Sequence, residues 1–126
     1  MLKKENRLKV RMAFRATYKN NSAYYTPELV LHLGKFKIDK NCPTRVGFVV
    51  SKKVHKRAVR RNRIKRLLRE NVRLFFKDEE ISKIINNYQS LIFSAKTDIS
   101  DKNIEDVRNI ILTLLNNLAN KNIQDF

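Results

Sequence analysis

One cysteine, two glycines, two prolines and no tryptophan occur in these 126 residues. The lone thiol, Cys42 beside Pro43, can form no internal disulfide and supplies no cysteine-based metal cluster. It reads as an incidental free thiol, and no metal bound by the protein is expected. Histidine occurs twice, at His32 and His55, and neither falls in a catalytic or zinc pattern. No nucleophile stands near a base in any familiar spacing. Acids are scarce, 12 against 28 lysines and arginines, and the cluster Asp78, Glu79, Glu80 reads as a solvated helix end. A protein active site and a small-molecule substrate are therefore not expected. No run of eighteen apolar residues exists, which excludes a spanning helix. Met1 to Arg11 is basic but lacks the apolar segment of a secretory signal, so a cytoplasmic protein is the simplest reading. There is no internal repeat, Gly/Ser linker or low-complexity tract.

What the chain has in excess is positive charge. The net charge is +16 and 42% of residues are apolar, which suits one domain with one core over residues 1–126. Such a chain repels itself unless an anionic partner is present, nucleic acid first and an anionic membrane surface second. From Lys52 to Arg73, eleven of twenty-two positions are Lys or Arg, against one acid, Glu70. That density suits a polyanion, because it neutralises phosphates and releases their condensed counterions. Within it, Ile64, Leu67, Leu68, Val72 and Phe75 recur at helical spacing and form a narrow apolar stripe. Arg61, Lys65 and Arg69 fall four apart, with Arg63, Arg66 and Arg73 on neighbouring rows away from that stripe. A helix docked by one face and basic on the other is a binding element.

The remaining pattern predicts an α+β domain. Residues 1–8 read as a basic arm without a core of its own. A helix is expected over about 9–19, with Val10, Phe14 and Tyr18 on one row beside a basic row, Arg7, Arg11, Arg15 and Lys19. Residues 20–27 are turn-rich, with Tyr24 and Tyr25 in a possible short extended piece. A strand over 29–38 puts Leu29, Leu31 and Leu33 on one face and Val30, His32 and Phe36 on the other. After a turn over 39–44, a strand over 45–51 directs Val46, Phe48 and Val50 to the core. Gly47 lies on the opposite face, where a missing side chain permits close approach. The basic helix is expected over about 56–77, with a weaker helical stretch over 78–86 that extends or breaks it. A buried strand over 89–96 and a final helix over about 103–120, capped by Ser100 or Asp101, complete the order. A mixed sheet covered by helices on one side would bury these faces.

Several side chains carry two readings. Phe14 and Tyr18 suit core packing or a groove in which an aromatic face stacks on an unpaired base. His32 suits a solvent-facing strand position or a stacking and hydrogen-bonding group for RNA. Asn62, a modest helix former inside Arg61-Asn62-Arg63, calls for a specific hydrogen bond.

The chain resembles the protein subunit of bacterial ribonuclease P. The match runs from Lys4-Glu5-Asn6-Arg7-Leu8-Lys9 through Phe14 and Tyr18, and resumes at Arg45-Val46-Gly47-Phe48 and Val50-Ser51-Lys52-Lys53. Its most specific part is Arg61-Asn62-Arg63-Ile64-Lys65-Arg66-Leu67-Leu68-Arg69-Glu70, similar to the family's Arg-Asn-Arg helix. The resemblance covers about residues 2–96, with the last helix agreeing in pattern only. It implies a single α-β-β-β-α-β-α domain with a left-handed β-α-β crossover around the basic helix. It also implies binding to a catalytic RNA subunit, with which the protein removes the 5′ leader of precursor tRNA by endonucleolytic hydrolysis. Chemistry would then belong to divalent metal, Mg2+, held by that RNA, and no protein side chain would be catalytic. Arg61, Asn62, Arg63, Lys65, Arg66 and Arg69 would face the catalytic RNA. Phe14, Tyr18, His32, Lys52 and Lys53 would line the path of the leader. Two positions depart from the family pattern: His32, where many members carry tyrosine, and Val49, where a small polar residue is usual. The competing reading is a non-catalytic ribosomal or ribosome-assembly protein using the same helix. A basic zipper is excluded because no sustained heptads follow the basic run. Membrane-surface binding is disfavoured by the narrow apolar stripe and the absence of Trp.

Overall fold

The computed structural model describes residues 3–20, 22–39 and 41–124, with the side chains of 121–124 left out of the description. Its elements are α1 (Arg11–Lys19), β1 (Ser22–Tyr25), β2 (Leu29–Leu33), β3 (Arg45–Val49), α2 (Ala58–Lys77), α3 (Glu79–Ile85), β4 (Ser90–Ala95) and α4 (Ile104–Gln124). The expected order is observed, with α3 as a separate addition. Among the described residues the strands form one mixed sheet in the order β1-β2-β4-β3. Strands β1, β2 and β4 pair antiparallel, while β3 joins β4 in parallel through the α2–α3 connection.

Alternation along the strands separates two faces. Leu29, Leu31 and Leu33 of β2, Leu91 and Phe93 of β4 and Val46 of β3 enter one core with Ile64, Leu68, Val72 and Phe75 of α2. From α4, Val107, Ile111, Leu114, Leu115 and Leu118 join it, all fully buried. The opposite face carries Ala23, His32, Ile92 and Gly47 in one cross-strand row and Tyr25, Val30, Ser94 and Val49 in the next. Among the described residues, α1 and the arm lie over that face.

Element ends differ from the sequence expectation for identifiable reasons. Val10 has extended backbone and is exposed, so α1 begins at Arg11 and the row starts with Phe14. Strand β2 stops at Leu33 rather than Ile38; next to it Gly34 passes so close to Ser90 that a Cβ would clash with the Ser90 Oγ. Phe36 lies beyond the end of β2 and stacks on Tyr88, ring centroids 4.8 Å apart. Asp78 breaks the long helical stretch: its backbone is extended and its carboxylate accepts from the amides of Glu80 and Ile81 at 3.0 and 3.2 Å. The cap of α4 is neither Ser100 nor Asp101. Asn103 Oδ1 accepts from the Asp106 amide at 2.9 Å, and Asp106 Oδ2 accepts from the Asn103 amide at 3.4 Å, a reciprocal capping pair. The helix continues to Gln124, past the expected end at 120.

The arm docks on the sheet. Arg7 bridges Val46 in parallel, the Leu8 amide donates to the Val46 carbonyl at 3.0 Å, and Asn6 Nδ2 donates to the Thr44 carbonyl at 2.8 Å. This covers the otherwise open edge of β3 and buries Leu8.

Candidate RNA-binding interface

The aromatic row of α1 is seated by small and polar residues of the sheet. A Cβ on Gly47 would lie 2.6 Å from Phe14 Cε1 and Cζ and 3.2 Å from Leu8 Cδ2, so the half-buried Phe14 ring rests on bare backbone. The close approach expected at Gly47 is thus made by Phe14. One turn on, the buried Thr17 hydroxyl is hydrogen-bonded to the Ser90 hydroxyl at 2.6 Å. Tyr18 then meets His32 edge to face, centroids 4.8 Å apart and planes at 77°. Asn20 Nδ2 donates to the carbonyls of Leu33 and Gly34 and ties the end of α1 to the end of β2. Phe14 is therefore a packing residue at the cleft floor, whereas Tyr18 stays 41% exposed at its wall. Burial pushes the His32 imidazole below its ordinary pKa, so it is neutral at pH 7 and offers an uncharged edge for hydrogen bonding.

The sheet row beyond α1 was not legible in the sequence. Tyr25 is 67% exposed with Lys96 Nζ 5.5 Å above its ring, and Ser94 of β4 and Val49 of β3 lie partly open further along the row. Cross-strand register alone aligns Tyr25 with Val30, Ser94 and Val49. Lys52 and Lys53 are exposed in the turn that follows β3. Phe36 does not join this channel.

The basic helix divides its charge between two directions. Asn62, Arg63 and Arg66 are exposed on the outer face. Asn62 makes no side-chain hydrogen bond to another described residue, so among these the bond its sequence position calls for is not made. The row Arg61, Lys65, Arg69 instead runs along the border with the rest of the fold. Arg61 Nη1 donates to the carbonyls of His55 at 3.0 Å and Lys56 at 2.7 Å, which anchors the loop leading into α2. Arg69 lines a 330 Å³ cavity at the edge of β3 with Arg7, Lys9, Phe14 and Gly47. Arm, α1 and α2 thus converge on one positively charged corner that sequence spacing could not foresee, because only the docking of the arm creates it.

This split makes Arg61 and Arg63 separable. Arg63→Ala should leave the melting temperature unchanged while lowering the salt dependence of RNA binding by roughly one unit of slope, as for a lost phosphate contact. Arg61→Ala should in addition lower thermal stability, because the loop at His55 and Lys56 loses its anchor. Equal melting temperatures for the two variants would remove the anchoring role from Arg61.

Among the described residues no helix is long and apolar enough to cross a membrane, and no group of three or more His, Cys, Asp and Glu side chains is placed to hold a metal ion. The family model described as Ribonuclease P matches residues 2–119. A Clostridium botulinum protein named ribonuclease P protein component is 35% identical over 112 residues, 89% of this chain and 93% of that protein. Among solved structures, the Staphylococcus aureus RNase P protein superposes with a TM-score of 0.70 at 29% identity, covering 90% of this chain and 94% of that one. The Thermotoga maritima RNase P protein does so with a TM-score of 0.66 at 26% identity, covering 86% and 94%. A basic helix with an open outer face, an aromatic cleft on the far side of the sheet and this extent of similarity have one common explanation: the chain belongs to the ribonuclease P protein family, the protein components of a ribonucleoprotein that processes tRNA.

Proposed function

We propose that the chain binds a catalytic RNA subunit through the outer face of α2 and holds the single-stranded 5′ leader of precursor tRNA on the sheet face beside α1. Together they remove the leader by endonucleolytic hydrolysis in the cytoplasm. The observation that carries this reading is the cleft, in which Tyr18, His32 and Tyr25 expose ring edges and faces on one surface while the Arg-Asn-Arg helix exposes its charges on another. Stacking on rings is tolerant of base identity, which suits leaders of varied sequence. Arg63, Arg66 and Asn62 would meet the catalytic RNA, with Lys65 at the margin. Arg61 would hold the loop in place and supply its remaining N–H groups to the same RNA. Arg69, on the cavity wall with Arg7 and Lys9, would meet phosphate where the catalytic RNA and the leader come together. Lys52 and Lys53 would take leader phosphates beyond β3, with Phe14 keeping α1 at the right height. Divalent metal, bound by the RNA, would supply the hydrolytic chemistry. The ribosomal reading has no comparable support, since the relatives are named as ribonuclease P protein components.

Reconstitution tests this directly. RNA-free protein should cleave no precursor tRNA, and its addition to the cognate catalytic RNA should raise cleavage at low magnesium. Within that holoenzyme, Tyr18→Ala should weaken precursor binding about fivefold or more, the cost of one lost stacking ring, and leave mature tRNA binding unchanged. Turnover by RNA-free protein would overturn the assignment of chemistry to RNA. Equal losses for precursor and mature tRNA would move Tyr18 from leader contact to fold maintenance.

A further inference from the structure

The segment after β2 presents a surface that neither the cleft nor the Arg-Asn-Arg face includes. Its backbone is held by an irregular continuation of the β2–β4 ladder. Gly34 and Lys37 amides donate to Ser90 and Asn87 carbonyls at 2.8 and 2.9 Å, and the Gln89 amide donates to the Lys35 carbonyl at 2.8 Å. This pairing sets Phe36 opposite Tyr88, with the rings stacked at 27°. Tyr88 is buried, but Phe36 is 61% exposed, so its outer surface faces solvent from a fixed support. A free apolar ring held in place costs little ordering when a flat partner stacks on it.

The charge around that ring selects the partner. Lys35 and Lys37 flank it in sequence, and neither ammonium group makes a hydrogen bond or ion pair with another described residue. Lys37 also lines a cavity of 530 Å³ with Lys3, Arg73 and Lys77, where the one acid is Glu5. Burial lowers the Lys37 pKa and the neighbouring Cys42 acts in the opposite sense, so an anion beside Lys37 would favour its charged form further. Arg73 is paired with Glu70 at 3.1 Å, which leaves Lys3, Lys37 and Lys77 as the cations around the groove, a set that suits a phosphodiester.

We infer that Phe36 and the adjoining cavity form a second RNA-contacting surface, which takes one unpaired nucleotide. Its base stacks on Phe36 and its phosphate lies by Lys37 and Lys77. This rests on the proposed role as an RNA-binding subunit and extends it to a third face of the molecule. The nucleotide comes either from the catalytic RNA or from the precursor, and the two arms of the experiment separate these sources.

Full-length wild type, Phe36→Ala, Phe36→Leu, Phe36→Trp and Lys37→Gln would be titrated against cognate catalytic RNA alone. The same proteins would then be titrated, as assembled holoenzyme, against leader-bearing precursor tRNA. Phe36→Ala and Phe36→Leu should both lose about fivefold or more in one of these arms, while Phe36→Trp retains wild-type affinity. Lys37→Gln should lower the salt slope in that same arm by roughly one unit. A purely structural Phe36 would behave differently, because leucine would restore stability and binding together. Wild-type affinity for all variants in both arms, or losses that simply follow the melting temperature, would overturn the inference. So would unchanged RNA binding with altered self-association in sedimentation, which would make the Phe36 surface a protein contact. Failure of wild type to bind catalytic RNA at all would instead overturn the proposed function, and this inference with it.

Discussion

Asn71→Ala is expected to lower the folding free energy by about 2–3 kcal/mol, as for a buried polar residue whose partners lose their hydrogen bonds. Asn71 is fully buried where α2 crosses the start of α4. Its Nδ2 donates to the Leu67 carbonyl at 3.1 Å and to the Ile104 carbonyl at 3.2 Å, and its Oδ1 accepts from Arg108 Nε at 3.2 Å. One amide thus joins the binding helix to the helix that closes the core. Truncation strips Arg108 of its acceptor and leaves a void. Asn71→Asp should be no milder, although it keeps the shape and faces Arg108, because a carboxylate oxygen would then confront two carbonyl oxygens. A loss of this size corresponds to a fall of about 10 °C in melting temperature for a domain of this length. Asn62→Ala serves as the control on the same helix and should leave thermal unfolding unchanged. If Asn71→Ala melts with wild type, the α2–α4 junction does not depend on this amide.

Gly47→Val should damage the cleft more than any single truncation within it. Even the first added carbon would fall 2.6 Å from the Phe14 ring, and Leu8 of the arm closes the other side. Phe14 must leave its seat, and α1 moves with it. Overpacking of this kind costs typically about 1–3 kcal/mol. The main core lies on the opposite face of the sheet, so the variant should still fold. Precursor tRNA binding by the holoenzyme should fall about tenfold or more, since both Tyr18 and the channel beside it are positioned by α1. Pairing Gly47→Ala with Phe14→Ala should relieve the clash and recover melting temperature without recovering precursor affinity. That non-additivity in stability, set against additive loss in binding, is what separates seating from contact. Wild-type stability and precursor binding for Gly47→Val would mean that Phe14 does not rest on Gly47.

The Arg-Asn-Arg helix, its apolar stripe and the long stripe of α4 are local patterns. Each is written within one continuous stretch at a single period, so spacing alone reveals which face is buried and which is basic. The same holds for Leu29, Leu31 and Leu33 against Val30 and His32, because alternation is a property of one strand. The excess of positive charge, and with it the kind of partner, is likewise visible without any fold. Other features depend on what lies across from a residue, and only tertiary structure decided them. Gly34 must stay bare because Ser90 stands opposite, and Phe36 is set on Tyr88 by the pairing that follows. Tyr25 reaches the cleft because its register aligns it with Val30, Ser94 and Val49. Two asparagines on one helix look alike in sequence, yet Asn71 is clamped by α4 while Asn62 faces outward. Arg61 and Arg69 share a row, but one holds a loop and the other lines a cavity built by the arm. A sequence displays periods along the chain; partners across it come from register and docking, which packing of the whole molecule sets.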